Sequence, residues 1–356
     1  MMLTKKLRSL RALVKQQSGD ALIVGNFGHE TADDILYYLL LQRLESGLLY
    51  LPSSGRPKLF VTPFEARQWQ KKYPELSVLP WRKPLERLLG SALAGKTIAV
   101  RAGSLPCLIR ARLAEYPKVK LKNLSAEEKV MAVKLPEEIV CLKRAAALTD
   151  KLFSELIQNW SRFSTETAAA RFLLTRMAAL YVEPSFPPII ASGANAANPH
   201  HETAAVKIKR GFCVIDMGVR YRGYCSDMTR TIYVGKPAAK ETALYDRVRR
   251  AQETTVGLVK PGITTPELDR HCRESLGELN CEFIHGLGHG VGTQVHEWPR
   301  VGSADKVVLE ENMLITIEPG VYRRGHYGIR IEDDVLVTKS GRRVLTRASR
   351  DLIRPV

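Results

Sequence analysis

The sequence predicts an α+β protein in two parts, a smaller α/β domain over residues 1–130 and a larger α+β domain over residues 131–356. Three observations carry that prediction. A chain of 356 residues is long for one compact core and short for three domains, so two unequal units are expected. Over residues 20–123, short β-rich runs alternate with helical stretches, as in an α/β unit. Beyond Lys134, a pair of helical stretches followed by β-rich segments occurs twice, which suggests a duplicated α+β architecture around a shared sheet.

The elements follow in order. Leu3, Leu7, Leu10 and Leu13 share one helix face, so MMLTKKLRSLRALVKQQ reads as an amphipathic helix. It has no uninterrupted apolar stretch and does not read as a secretory signal. ALIVG, GLLYLP and KLFVT, bounded by Gly, Ser and Pro, read as strands, and ILYYLLL between the first two suits a buried helix. The helical EARQWQKKY, the strand KTIAV and the helical LPCLIRARLAEY continue the alternation and imply partly parallel pairing. In PKVKLKN, Lys118, Lys120 and Lys122 alternate with Val119 and Leu121, as in a half-exposed edge strand whose lysines discourage further pairing. In the second part, Pro136 followed by Glu137 and Glu138 is a helix start, favoured by the unfilled N–H groups there. A second helix is expected at 165–181. FPPIIASG then leads into GFCVIDMGVRYRGYCSDMTRTIYVG, two apolar runs about RYRGY that predict an antiparallel hairpin. Helices are expected at 240–258 and 265–279, the latter opened by the capping box Thr264-x-x-Glu267. EFIHGLGHGVG, NMLITIEPGVY and GIRIEDDVLVT are β-rich.

Charge is the unusual part of the composition. Fifty-four Lys and Arg against 37 Asp and Glu leave +17, which raises nucleic acid, anionic membrane or acidic substrate as partners. The first 150 residues hold 25 basic and 14 acidic side chains and the remainder 29 and 23, so the excess belongs mainly to the front of the chain. Net charge speaks of encounter and solubility rather than chemistry. The six cysteines show no C-x-x-C pair or zinc-finger spacing, which predicts free thiols in a reduced, cytoplasmic protein. No apolar run approaches the roughly 20 residues needed to span a bilayer.

Chemistry-bearing residues gather in the second part. Asp216 in VIDMG, Asp227 in CSDMT, Glu318 in TIEPG and Glu332 in RIEDD lie on or beside predicted strands, among apolar neighbours, as does His289 in GLGHGVG. Buried carboxylates are costly unless paired or bound to a cation, and several in one sheet repel one another. Four carboxylates and one imidazole suit Mn²⁺, Co²⁺, Fe²⁺ or Zn²⁺. Two such ions, roughly 3.5–4 Å apart, would supply a nucleophile at neutral pH and a Lewis acid for a carbonyl. His285, His289 and His296 fall within twelve residues, and the interleaved Gly286, Gly288, Gly290 and Gly292 leave room for a ligand to approach the backbone. His200, in NPHHE, is a further loop histidine. The glycines do not form G-x-G-x-x-G and no Walker lysine follows them, so a phosphate loop is not supported.

The ordered set DMG, SDMTRT, HGLGHGVG with VHEWP, TIEPGVY and GIRIEDD resembles the metal-dependent aminopeptidase and prolidase family of the pita-bread fold, in its Xaa-Pro branch. The resemblance covers residue 134 to the end, and more loosely the first 130 residues, which are similar to the creatinase-type N-terminal domain. It implies that Asp216, Asp227, His289, Glu318 and Glu332 hold two divalent metal ions, Mn²⁺ ahead of Co²⁺, Zn²⁺ or Fe²⁺, with Asp227 and Glu332 bridging. It further implies attack by a metal-bridging hydroxide with Glu318 as proton shuttle. His200, His285 and His296 would take catalytic roles in steadying the oxyanion or the substrate amide, and His200, His296 and Tyr322 would contact substrate. Arg330 would support the ligands from behind, as Tyr322 also would.

The resemblance also sets the substrate. A bond before proline is a tertiary amide without N–H, so a site shaped for the ring selects it. Arg300 in HEWPR stands where prolidases carry an arginine for the proline carboxylate, which favours Xaa-Pro dipeptides. Xaa-Pro aminopeptidase activity on longer peptides is the close alternative, and a non-catalytic peptide- or nucleic-acid-binding protein on the same fold is the third reading. Methionine aminopeptidases usually lack the front domain, and creatinase-like relatives lack the full ligand set. A homodimer without membrane association is the expectation from the resemblance, while the +17 charge leaves nucleic acid open without predicting it.

Overall fold

The computed structural model describes residues 2–27, 33–81, 89, 92–101 and 103–355. Two compact units divide the chain, Met1–Met131 and Ala132–Val356.

The first unit is built on a six-stranded mixed sheet in the order β4-β3-β2-β1-β5-β6. Its strands are β1 (Ala21–Phe27), β2 (Ser46–Pro52), β3 (Lys58–Val61), β4 (Ser77–Pro80), β5 (Thr97–Val100) and β6 (Lys120–Asn123). β1–β2 and β2–β3 are antiparallel, while β3–β4, β1–β5 and β5–β6 are parallel. Apolar residues alternate between two cores, Leu22 and Val24 on one face of β1 and Ala21 and Ile23 on the other. That is why these strands read as unbroken hydrophobic runs. β6 is an edge strand, with Lys120 and Lys122 exposed and Leu121 half-buried against the sheet. The opening helix, Met2–Gln16, buries Leu3, Leu7, Leu10 and Val14; Leu13 is only partly buried. Lys6 is buried beside them, its ammonium donating to the Tyr38 carbonyl at 2.6 Å and lying 3.8 Å from the centre of that ring.

In the second unit each half carries a helix pair over its own apolar core. Helices Pro136–Gln158 and Glu166–Ala179 cover the sheet formed by β8 (Ile189–Ser192), β9 (Gly211–Met217) and β12 (Met228–Val234). Helices Ala239–Leu258 and Thr265–Leu276 cover β15 (Leu314–Ile317) and β18 (Asp333–Thr338) of a five-stranded sheet. That sheet is completed by β13 (Gly288–Gly290), β14 (Glu297–Val301) and β19 (Gly341–Val344). The expected capping box is present, Glu267 accepting from the Thr264 amide at 2.8 Å, but this helix ends three residues early at Leu276 and gives way to a 3₁₀ turn, Gly277–Glu282.

β9 and β12 are the predicted hairpin, paired in register from Met217↔Met228 to Gly211↔Val234. Between them β10 (Val219–Tyr221) and β11 (Tyr224–Cys225) meet at Arg222-Gly223, both with positive φ, and β7 (Glu183–Pro184) pairs with β10. The shared sheet is corrected by the structure. Two sheets meet along β12 and the segment after β17 (Tyr327–Arg330), which pairs with β16 (Gly320–Arg323). The Glu332 amide donates to the Thr229 carbonyl at 3.1 Å, and the Thr231 hydroxyl both donates to the Arg330 carbonyl and accepts from its amide. One backbone bond and the Thr231 side chain thus join the two sheets. No helix among the described residues is long and apolar enough to cross a membrane.

Candidate metal centre

Strand alternation delivers acids to one place from apolar surroundings, since successive side chains point to opposite faces. Cys213, Ile215 and Met217 of β9 enter the first core, so Asp216 faces away from it. Met228 and Ile232 of β12 enter the same core, leaving Thr229 and Thr231 on the other face, with Asp227 immediately ahead of the strand. Ile315, Ile317, Ile329 and Ile331 enter the second core, which turns Thr316, Glu318, Arg330 and Glu332 away from it. His289 lies on β13, where the register with β14 shifts between His289 and Gly290 and re-aims the side chain.

The five residues meet at the joint between the two sheets. Ligand atoms of Asp216, Asp227 and Glu332 lie within 4.8 Å of one another, as do those of His289, Glu318 and Glu332 and those of Asp227, His289 and His296. His289 Nε2 is 3.5 Å from both an Asp227 and a Glu318 oxygen. Its Nδ1 lies 3.0 Å from the Gly290 carbonyl and must donate there, so Nε2 presents a lone pair. Asp216 and Glu332 each have one oxygen in a hydrogen bond and one without a partner, and one Asp227 oxygen is likewise without a partner. Asp216 Oδ2 accepts from Arg330 at 2.6 Å, and Glu332 Oε2 accepts from the Thr229 hydroxyl at 2.6 Å. Asp216 Oδ1, Asp227 Oδ1 and Glu332 Oε1 are buried and unpartnered.

Orphaned carboxylate oxygens beside an imidazole lone pair fit hard or borderline divalent cations. Burial, then the neighbouring carboxylates Glu332 and Asp216, hold the Asp227 carboxyl well above its ordinary range. Burial followed by Glu318 does the same to Glu332, and burial followed by Asp216 pushes Glu318 up to about 8. Burial and then His296 lower His289 to about 4, so its ring is neutral.

A cavity of about 1190 Å³ opens on this cluster, with Phe186, Pro187 and Pro188 on one wall and His200, His296 and Arg300 on others. The side chains of His200, His296 and Arg300 make no hydrogen bond or ion pair among the described residues. His285 and Tyr322 stand differently toward the cavity. His285 lines the cavity, its Nδ1 donating to the Gly286 carbonyl at 2.8 Å and its Nε2 lying 3.0 Å from the Tyr322 hydroxyl, so both ring nitrogens have a protein partner. Tyr322 is buried outside the cavity lining, its oxygen 2.9 Å from the Arg330 guanidinium that grips Asp216. The interleaved glycines also do more than admit a ligand. A Cβ on Gly288 would stand 2.1 Å from the Thr316 carbonyl, one on Gly290 2.3 Å from the Trp298 carbonyl, and one on Gly292 2.3 Å from the Glu297 carboxylate.

Several supporting residues escaped the sequence reading. Thr229 lies two positions after Asp227 and Thr316 two before Glu318, on the same strand faces, and that spacing was the available signal. Asp334 accepts from the Asp227 amide at 3.1 Å. Glu297, ion-paired with Lys134 at 2.5 Å, accepts from both the amide and the hydroxyl of Thr293 and so shapes the loop before His296. Arg273 holds the carbonyls of Phe283 and His285 at 3.1 and 2.9 Å.

Residues 140–339 match the profile of metallopeptidase family M24. A Xaa-Pro dipeptidase from Pyrococcus furiosus is 42% identical over 227 residues, which are 62% of this chain and 65% of that protein, so the match spans less than two thirds of the relative. The prolidase from Pyrococcus horikoshii superposes with a TM-score of 0.86 at 32% identity, covering 98% of this chain and 100% of that one. The X-Pro aminopeptidase from Thermotoga maritima superposes with a TM-score of 0.88 at 28% identity, covering 97% and 99%. The fold is accordingly the pita-bread fold preceded by a smaller α/β domain.

Proposed function

The chain belongs to metallopeptidase family M24, and from that premise we propose that it hydrolyses the peptide bond before proline, with Xaa-Pro dipeptides as its substrates. One observation carries the reading: Asp216, Asp227, His289, Glu318 and Glu332 converge with three buried carboxylate oxygens unpartnered, at the floor of a cavity in which Arg300 is an unpaired cation. Those five residues would hold two divalent ions, for which Mn²⁺ is the first candidate. When bound, such ions generate a nucleophile from water at neutral pH and polarise the scissile carbonyl.

The chain's own groups do the rest. Glu318 takes a proton on its carboxylate during attack and returns it to the leaving proline nitrogen. The open nitrogens of His200 and His296 donate toward the developing oxyanion. Arg330 keeps Asp216 in place, and Tyr322 fixes the ring of His285 as a wall. Phe186, Pro187 and Pro188 offer an apolar face to the proline ring. Arg300 receives the proline carboxylate, which only a dipeptide presents at that position.

The test is hydrolysis of Gly-Pro against a Gly-Pro-containing tripeptide by the Mn²⁺-loaded protein. We expect the dipeptide to be preferred, and Arg300→Ala to raise its KM about 30-fold or more, corresponding to about 2 kcal/mol of charge-pair interaction. A clear preference for the tripeptide would replace this reading with Xaa-Pro aminopeptidase activity, which the likeness to the Thermotoga maritima enzyme supports. We place the protein in the cytoplasm, as a homodimer; its six free cysteines support a reducing compartment.

A further inference from the structure

Behind the cavity wall that carries His200 lies a buried carboxylate for which hydrolysis has no direct use. Glu166 opens the helix Glu166–Ala179 and is fully buried. It accepts four hydrogen bonds, all from one segment of loop. On Oε1 these come from the Ser192 amide at 2.7 Å, the Ser192 hydroxyl at 2.9 Å and the Asn195 side-chain amide at 3.1 Å. On Oε2 the donor is His201 Nε2 at 2.8 Å. One side chain thereby ties the end of β8 to the residue that follows His200.

The rest of that segment explains why the tie matters. The 3₁₀ turn Gly193–Ala197 is anchored by the buried Ala196, whose carbonyl packs on Gly328 so closely that a Cβ there would be 1.7 Å away. Thr203 anchors the far side, its hydroxyl donating to the Pro188 carbonyl at 3.0 Å and accepting from the Ile190 amide at 2.8 Å. Between these anchors His200 is exposed and lines the cavity, and its ring makes no hydrogen bond among the described residues. Two contacts to other parts of the fold flank it: Arg330 donates to the Pro199 carbonyl at a long 3.2 Å, and His201 donates to Glu166. Asn198 adds a local bond to the His200 amide at 3.2 Å.

Glu166 is itself anchored, since its amide donates to the Val206 carbonyl and Thr165 caps the helix it begins. An anionic side chain in the first turn is also favoured by the helix N-terminus. We propose that Glu166 and His201 are positioning residues that aim the His200 imidazole into the cavity, acting through the loop and never on the substrate; this rests on the peptidase reading above.

Glu166→Gln would retain the three bonds to Oε1 and offer an amide N–H to the unprotonated Nε2 of the other His201 tautomer, so it is the mild variant. His201→Ala removes the tie, and His201→Gln can restore an N–H donor to Glu166. The experiment measures kcat and KM for Gly-Pro, metal content and melting temperature for these variants, for His200→Ala and for the His200→Ala/His201→Ala double variant, all with Mn²⁺. We expect His201→Ala to lower kcat/KM about 10-fold, the scale of outer-shell effects, with metal content unchanged. Recovery in His201→Gln is expected, as is a double variant no worse than His200→Ala.

A wild-type rate in His201→Ala overturns the proposal. So do losses that multiply in the double variant, or a loss that tracks metal content. If the wild-type protein does not cleave Gly-Pro, the peptidase reading fails by itself. Positioning is then judged by NMR of histidine-labelled, Zn²⁺-loaded protein, with the His200 ring signal assigned through His200→Ala. That signal should shift or broaden in His201→Ala, and an unchanged signal refutes positioning.

Discussion

At the residue scale, Asp227 is a burden for the metal-free fold that a bound cation would turn into an asset. Its Oδ1 is buried without a partner, and Asp216 and Glu332 crowd it. Asp227→Asn would relieve that repulsion, because the new amide can donate to the neighbouring unpartnered oxygens. In chelator the variant should be more stable than wild type, because the carboxyl it replaces is disfavoured by burial and by Glu332 and Asp216. With metal the order reverses: the variant should bind less, and kcat/KM should fall on the order of 10³-fold, several kcal/mol of lost charge stabilisation. Denaturant titration with elemental analysis measures both, and unchanged loading and activity would remove Asp227 from the site. The convergence of the four acids was legible because each stands among core-forming neighbours, as Asp216 does between Ile215 and Met217, where an unpaired carboxylate has no other account. Glu166 and Glu297 carried no such signal. They stand beside helix and loop residues where a solvated carboxylate is ordinary, and their partners His201 and Lys134 are remote in sequence.

At the element scale, the packing of β13 against β15 decides whether His289 and Glu318 can approach. Gly288 touches the Thr316 backbone, and the Thr316 hydroxyl in turn accepts from the His289 amide at 3.0 Å. Gly288→Ala should therefore push the two strands apart and cost about 1–3 kcal/mol, the range for overpacking. A shift of the urea midpoint together with weaker metal binding is the expected result; a variant with the wild-type midpoint would show that β13 can move aside freely. The sequence showed that these glycines matter but not why, since close approach of one strand to another is a tertiary fact. Helix starts were easier to read than helix ends: Pro136 and the Thr264–Glu267 box mark their own positions, whereas Leu276 ends its helix because Gly277, at φ +57°, opens a 3₁₀ turn. Val14 rather than Leu13 joins the core of the first helix for a similar reason, the partner surface being invisible in a helical repeat.

At the scale of the whole molecule, the metal-free centre makes stability depend on pH. Glu318 rises from 4.5 to about 8, so the stability it contributes is complete below about pH 4.5 and is lost as pH rises through about 8. Asp227 and Glu332 shift in the same direction. His285 and His289 fall from 6.5 to about 4, burial being the main cause, and they act with opposite sign: stability rises from about pH 4 and the gain is complete near 6.5. Between pH 6.5 and 8 the carboxyl groups alone remain, so the chelated protein should melt at a lower temperature at pH 8 than at pH 6.5. Saturating Mn²⁺ should reverse that trend, because it binds the deprotonated ligands. Calorimetry at the two pH values decides the matter, and a metal-free melting temperature that rises across this interval would contradict the burial of these groups.

The placement of the ligands on separate strands also gives the centre an order in time. Asp216 and Asp227 leave the ribosome long before His289, Glu318 and Glu332, and the helices and strands between them must fold before the set closes. The hairpin that carries Asp216 and Asp227 is complete by Val234, so those two acids stand without the other three residues until the later strands are added. If these five residues hold the metal, the complete set is assembled only once residues 216 to 332 have folded together, so full affinity for the cation would come with the finished domain.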